Sequence, residues 1–246
     1  MVRRDTVWKS RRLSKSFLTN IRGGIPFASV QIGIMMRLIQ ACERKVEMFM
    51  DVGCGNGILA GAILEKYPRA RGALVDFSRP MLSEAKQSLH QYRSQLRFVM
   101  ADFSSRKWVI AAEGTHFDAI VSGYAIHHQP DERKKEIFNE IFGLLNPGGV
   151  FVNVEHVAPE TKWIAGLNDG MFADSLYEYH SKKDSSKSRD QILKEFVHRK
   201  DKAANILAPV ETQCEWLSER GFVDVGCYFK IFELAVFGGR KPNCMS

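Results

Sequence analysis

The stretch MFMDVGCGNG, residues 48–57, gives up its side chains where a buried strand would end. An apolar run closes on Asp51, and Gly53, Gly55 and Gly57 follow at every second position. A strand that runs into a glycine-rich turn and then a helix sets backbone N–H groups beside a ligand, since glycine allows the tight turn and lets the ligand reach the main chain. The stretch therefore predicts a cofactor at the carboxyl end of a first strand.

Outward from there, strand-like runs alternate with helical patterns over residues 46–156. VEMFMDV (46–52), GALVDFS (72–78), LRFVMADF (96–103), FDAIVSGY (117–124) and VFVNVEH (150–156) read as strands. GILAGAILEKY is apolar nearly all round, as expected for a helix packed on a sheet. The helix after residue 78 has Ser78 as its N-cap and Pro80 in its first turn. PDERKKEIFNEIFGLLN is amphipathic and is expected to stop at NPGG. Continuous apolar strands separated by helices point to a parallel sheet covered on both faces. The alternation lapses over 157–209. It resumes with the helix VETQCEWLSERG and two strands close together, FVDVGCYF and FELAVFGG, whose short connection implies an antiparallel pair at a sheet edge.

The residues around the glycines narrow the cofactor. Counted from Gly53, a GxGxxG nicotinamide pattern fails at Ile58, although GNGILA matches the looser GxGxxA and keeps a dehydrogenase as a rival. No Lys-Ser/Thr follows, as a phosphate loop would need. Asp51 would repel a pyrophosphate but suits a cationic amino group. Asp76, 25 residues on, ends the second strand, where a carboxylate can grip both ribose hydroxyls. Asp102 ends the third, placed to accept from an adenine amine, with Phe103 available to stack. An amine, a ribose and an adenine without phosphate describe S-adenosyl-L-methionine.

DVGCGNG, LVDFS, ADF, FDAIVSGYAIHH and LLNPGGVF, in that order, resemble the class I S-adenosylmethionine-dependent methyltransferases. The likeness covers residues 46–156 and extends over the terminal helix and strand pair. More narrowly, the chain is similar to uncharacterised bacterial and archaeal methyltransferases that share AIHH, PDER and a final FGGRK. The resemblance implies an α/β, Rossmann-like doubly wound sheet of seven strands in the order 3-2-1-4-5-7-6, with strand 7 antiparallel. It implies that Asp51, Gly53 and Gly55 line the methionine end and that Asp76 and Phe77 hold the ribose side. Asp102 and Phe103 would take the adenine, and Ser122 and Gly123 would sit beside the sulfonium. RGGIP resembles the entry segment that closes over cofactor, with Arg22 to meet the cofactor carboxylate and a helix over 29–39 behind it.

The protein's task in such a reaction is to hold donor and nucleophile in line, exclude water and remove a proton where the nucleophile carries one. Tyr124, His127 and His128 follow strand four and are the catalytic candidates; Glu155 and His156 end strand five. A histidine titrates near neutrality and can take a proton from an oxygen or thiol. The spacing of His127, His128 and His156 is not diagnostic of a metal, and no metal is expected.

Four regions result: a basic tail and lid segment (1–45), the cofactor core (46–156), a helical cap (157–209) and the terminal helix and strand pair (210–246). The cap holds Trp163, Phe172, Tyr177, Tyr179, His180, Phe196 and His198, enough aromatic surface for a small-molecule methyl acceptor, and Arg199 and Lys200 could meet an anionic one. The net charge of +7 sits in residues 1–15 (+5) and 181–202 (+4), leaving the rest slightly acidic. Nucleic acid is an unlikely partner: the SGYAIHH strand end lacks the Asn/Asp-Pro-Pro-Tyr/Phe of base-amine methylation. An RNA methyltransferase and a non-catalytic S-adenosylmethionine-binding module remain the alternatives. Five scattered cysteines without a CxxC pair argue against a disulfide framework or zinc. No run reaches the roughly 18 apolar residues of a membrane span. A cytoplasmic location is expected.

Overall fold

The computed structural model describes residues 5–42, 44–183 and 186–243, and only the backbone of Lys200. Arg3 and Arg4 of the basic tail and Cys244 lie outside the described residues. The strands are β1 Met48–Val52, β2 Arg71–Asp76, β3 Leu96–Met100, β4 Phe117–Gly123, β5 Leu145–His156, β6 Val223–Ile231 and β7 Leu234–Arg240. They form one sheet in the order β3-β2-β1-β4-β5-β7-β6. The pairs from β3 through β5 are parallel, and β7 runs antiparallel to both β5 and β6. The sheet order and the reversed strand match the sequence expectation.

Two helices precede the sheet: α1 Arg11–Asn20 and α2 Ala28–Gln40. Then α3 Ile58–Lys66, α4 Arg79–Ser88 and α5 Asp131–Leu144 alternate with strands. The cap contributes α6 Lys162–Ser181 and α7 Arg189–Val197, and α8 Val210–Arg220 leads into the terminal hairpin. One face of the sheet packs Met50, Val52, Phe117, Ile120 and Phe151 against α5 and α8. The other packs Phe49, Leu74, Val121 and Val152 against α2, α3 and α4. Strand residues alternate between these faces, so a nearly continuous apolar run is what a two-sided burial requires. A third, smaller cluster of Ile25, Phe172, Leu176, Ile192, Phe196 and Leu234 joins the cap to the lid segment and the last strand.

Ser78 caps α4, accepting from the Met81 N–H, as read from the sequence. NPGG behaves differently from the expectation. It does end α5, but it is already strand: β5 begins at Leu145, and its pairing with β4 slips between Phe117 and Ala119. Gly148 takes a φ of +76°, and a Cβ on Gly149 would stand 2.9–3.1 Å from three backbone carbonyl oxygens. The two glycines let the chain turn from helix to strand with no linker, at the cost of a bulge.

Candidate active site

The parallel order reverses between β1 and β4, and the carboxyl ends of those strands open onto a cavity bounded by the cap and residues 5–28. Such a switch point is where an open α/β sheet leaves a crevice. Asp51 and Gly53 end β1, Asp76 ends β2, Gly123 ends β4 and His156 ends β5, and all five line it.

At the β1 side, Gly53 takes a φ of +71°, and a Cβ there would lie 2.2 Å from Ala125 Cβ. Only glycine lets the turn pass this close to the loop after β4. Asp51 is buried; its Oδ2 accepts from the Ala60 N–H at 3.3 Å, and its Oδ1 has no partner. Burial pushes its carboxyl up to about 7, against the pull of the Ala60 N–H and of Arg22. The Arg22 guanidinium lines the cavity 6.0 Å from the Tyr124 ring centre, its pKa lowered by burial. Asp76 accepts from Gly55 N–H at 2.9 Å and Ser78 N–H at 2.8 Å, with the Phe77 N–H also directed at it, so three backbone donors orient the carboxylate at the end of β2. Burial raises its pKa to about 6. Phe77, Met81 and the buried Phe103 continue the wall. The orphaned Asp51 oxygen suits an ammonium, the Asp76 pair a vicinal diol, and the apolar wall a flat ring, so these residues fit the cofactor expected from the sequence.

Two expected residues sit elsewhere. Ser122 has no exposed surface; its hydroxyl donates to Val52 O at 2.8 Å, tying β4 to β1 beneath the cavity. Asp102 lines a shallower adjoining depression with Lys9, Phe77 and Arg79, and its Oδ1 accepts from Ser104 N–H.

The β4–β5 side carries the imidazoles. His127 Nδ1 meets Glu155 Oε1 at 2.6 Å. Glu155 is fully buried and also accepts from the backbone N–H groups of His156 and His127. A carboxylate only accepts, so His127 carries its proton on Nδ1 and keeps the Nε2 lone pair. Burial and the neighbouring cationic Lys134 and Arg199 hold its pKa well below the usual histidine value. In His128 both nitrogens are engaged: Nδ1 donates to Ala204 O at 3.2 Å, and Nε2 accepts from Trp8 Nε1–H at 3.0 Å. Its pKa falls to about 3 through burial and the adjacent His127. The Tyr124 hydroxyl donates to Gln31 Oε1 at 2.6 Å, and burial raises its pKa. Of the three, only His127 is paired to a buried carboxylate, and the Asn205 side chain also hydrogen-bonds its ring. Among the described residues no group of three or more His, Cys, Asp or Glu is arranged to hold a metal ion.

The cap closes this end. Phe172 and Phe196 stack with ring centres 4.7 Å apart, and Arg199 lies over Phe196 at 4.1 Å while its Nε pairs with the buried Asp201. Trp163 and Tyr177 face outward, and Tyr179 and His180 instead reach Thr19 O and Asn20 O of α1. Asp5 and Trp8, in a 3-10 turn over Asp5–Lys9, complete the mouth: Ser78 Oγ donates to Trp8 O, and Gln129 Nε2 to Asp5 Oδ2. Asn205, Asp201 and Trp8 escaped the sequence reading. Trp8 meets His128 across 120 residues of chain and Asn205 meets His156 across 49, and no local pattern marks such contacts.

Residues 49–149 match the family described as "Methyltransferase domain". An uncharacterized methyltransferase of Mycobacterium tuberculosis is 32% identical over 124 residues, 47% of this chain and 58% of that protein. The chain thus spans under two thirds of the length of such curated relatives. The carboxy-S-adenosyl-L-methionine synthase of Campylobacter concisus is 24% identical over 191 residues, 77% of this chain and 74% of that one. Among solved structures, a putative O-methyltransferase of Nostoc punctiforme superposes with a TM-score of 0.62 over 96% of this chain and 60% of that one, at 15% identity.

Proposed function

We propose that the chain, whose residues 49–149 match the methyltransferase domain, is a class I S-adenosylmethionine-dependent methyltransferase that methylates a small-molecule acceptor held under the cap. When bound, S-adenosylmethionine supplies a methyl group made electrophilic by the sulfonium beside it. Asp51, with its unpaired oxygen, holds the amino group, Arg22 the carboxylate, and Asp76 the ribose hydroxyls; Gly53, Gly55 and Gly123 leave room for the sulfur end. Phe77 and Phe103 serve the adenine side. The single observation that supports a catalytic rather than a merely binding role is the His127–Glu155 pair at 2.6 Å in the cavity wall. His127 Nε2 takes the acceptor's proton, and the imidazolium so formed is neutralised by Glu155, a contribution of roughly 10²–10⁴-fold in rate. His128 and Tyr124 shape the wall. The closed, aromatic cap end supports a compact acceptor over a polymer, and a cytoplasmic site of action goes with that reading.

The test has two arms. S-adenosylhomocysteine at about 100 times its Kd should stabilise the protein by roughly 2.7 kcal/mol, NAD should not, and Asp76→Ala should abolish the effect. Labelled methyl should then pass from S-adenosylmethionine into the low-molecular-weight fraction of a cell extract, and fall at least tenfold in His127→Ala. Stabilisation by NAD, or label entering only RNA or protein, would overturn the reading.

A further inference from the structure

Tyr124 stands where β4 gives way to the cavity, and its backbone is unusual. It takes a φ of +52°, a conformation that a bulky residue rarely adopts, while its N–H still donates to Val154 O of β5 at 2.8 Å. A residue held so against its preference points to a use for its side chain. The side chain lines the cavity, and its hydroxyl donates at 2.6 Å to Oε1 of Gln31, a residue of α2 outside the cavity wall.

Gln31 is buried and uses both ends of its amide. Its Nε2 donates to Pro26 O at 2.9 Å. A carbonyl oxygen only accepts, so this bond fixes the amide's orientation and leaves Oε1 to take the Tyr124 hydroxyl proton. Pro26 and Phe27 form the turn into α2: proline restricts its own φ, and Phe27 takes a φ of +55°. The Tyr124–Gln31–Pro26 chain thus pins the foot of the entry segment to the end of β4.

That segment carries Arg22, in a 3-10 turn over Arg22–Gly24. The guanidinium lies 6.0 Å from the Tyr124 ring centre and makes no hydrogen bond or ion pair among the described residues. Its donors stay open to a ligand, so packing alone sets where they stand. The Tyr124 ring supplies one side of that packing. On the other, Gly23 and Gly24 lie against Tyr179 and Leu176 of α6.

We propose that Tyr124 and Gln31 are positioning residues that hold Arg22 on the carboxylate of the cofactor's amino-acid tail. The inference rests on S-adenosylmethionine as the ligand and on Arg22 as the group that meets its carboxylate. Tyr124 acts twice, through its ring against the guanidinium and through its hydroxyl on the segment that carries Arg22. Asp51 takes the ammonium of the same tail, so a displaced Arg22 spoils a two-point grip.

Two ligands separate the tail from the nucleoside: S-adenosylhomocysteine, and 5′-methylthioadenosine, which has the same nucleoside and no amino-acid tail. Calorimetry on the full chain should show S-adenosylhomocysteine bound about tenfold or more tightly. Tyr124→Phe keeps the ring and removes the hydroxyl. It should weaken S-adenosylhomocysteine roughly threefold or more and leave methylthioadenosine unchanged, and Gln31→Leu should do the same. Arg22→Gln should weaken S-adenosylhomocysteine about tenfold, and adding Tyr124→Phe to it should cost nothing further, because the hydroxyl acts through the arginine. Unchanged affinity in Tyr124→Phe, equal weakening of both ligands, or a loss that adds in full to that of Arg22→Gln would overturn the proposal. If Gln31→Leu does not fold, Tyr124→Phe and the double variant decide. Unchanged S-adenosylhomocysteine affinity in Arg22→Gln would strike the Arg22 assignment and the proposal with it. Binding of neither ligand by the wild-type chain would strike the cofactor reading itself.

Discussion

Asp51 shows how a residue can be held against its own preference. Its carboxyl is buried with one oxygen unpartnered, and desolvation raises its pKa to about 7. A cationic amine favours the charged form, so ligand binding must expel the proton wherever the empty site holds it. Affinity for S-adenosylhomocysteine should therefore rise with pH toward about 7 and level off above it, weakening up to about tenfold per pH unit below. Calorimetry in buffers of different ionisation enthalpy would detect the released proton, and Asp51→Asn should bind weakly at every pH with no proton release. Asp51 and Asp76 were legible because their positions follow from where strands end. Ser122 was not: its place at the end of β4 is as expected, but its hydroxyl turns to Val52 O, away from the cavity. Whether a residue at a strand end faces the ligand depends on side-chain direction, which spacing alone leaves open.

At the scale of elements, the lid and cap meet through glycine. Neither Gly23 nor Gly24 takes a positive φ, so close approach is what excludes a side chain there. A Cβ on Gly24 would lie 2.7 Å from Leu176 Cδ2 and 3.3 Å from Leu176 Cα of α6; the second is backbone and cannot swing aside. Gly24→Ala should therefore part residues 5–24 from the cap while the sheet persists. Limited proteolysis should cut the lid segment several-fold faster, with the main thermal transition nearly unchanged; an unchanged digestion rate would contradict the packing argument. The helix at 28–40 and its preceding RGGIP were legible from periodicity and turn residues. Helix α1 was not, since its lining residues Phe17 and Leu18 are apolar toward a cavity built by distant parts of the chain. The aromatic cap divided in the same way: Phe172 and Phe196 stack inward, while Trp163 stays largely exposed.

Over the whole molecule, buried ionisable groups act with opposite sign. Asp51 and Asp76, raised to about 7 and about 6, bind protons more tightly folded than unfolded, so the stability they lend at low pH is lost as pH rises through those values. His127 and His128 are depressed and neutral when folded, so they add stability as pH rises toward the ordinary histidine range and none beyond it. Asp118, lowered by N–H groups of Glu47 and Met48, Asn146 and Arg44, contributes above the usual carboxylate range and loses it on acidification. The opposing terms nearly cancel below the ordinary histidine range, so without ligand the melting temperature should fall only between about pH 6 and 7 and level off above it; with S-adenosylhomocysteine, whose binding favours the ionised aspartates, that fall should vanish. A parallel decline in both states, followed by scanning fluorimetry, would show that other groups dominate. The sheet itself was legible because its strands are buried on both faces and its helices are periodic. The meeting of Glu233, in the turn before β7, with His156 was not, because it depends on which strand lies beside β5. That neighbour is β7, which is inserted between β5 and β6 although it follows both in the chain. Its partners on β5 lie some 80 to 90 positions earlier, from His156 against Leu234 to Val150 against Arg240. Such non-local pairing is entropically slow to form. While a ribosome is still making the hairpin, β5 presents an unpaired apolar edge, the kind that recruits other chains. His156 at its tip is then also without Glu233. The end of the cavity built by β1 and β2 can therefore form first, and the end that holds His156 gains Glu233 only when the last strand is in place.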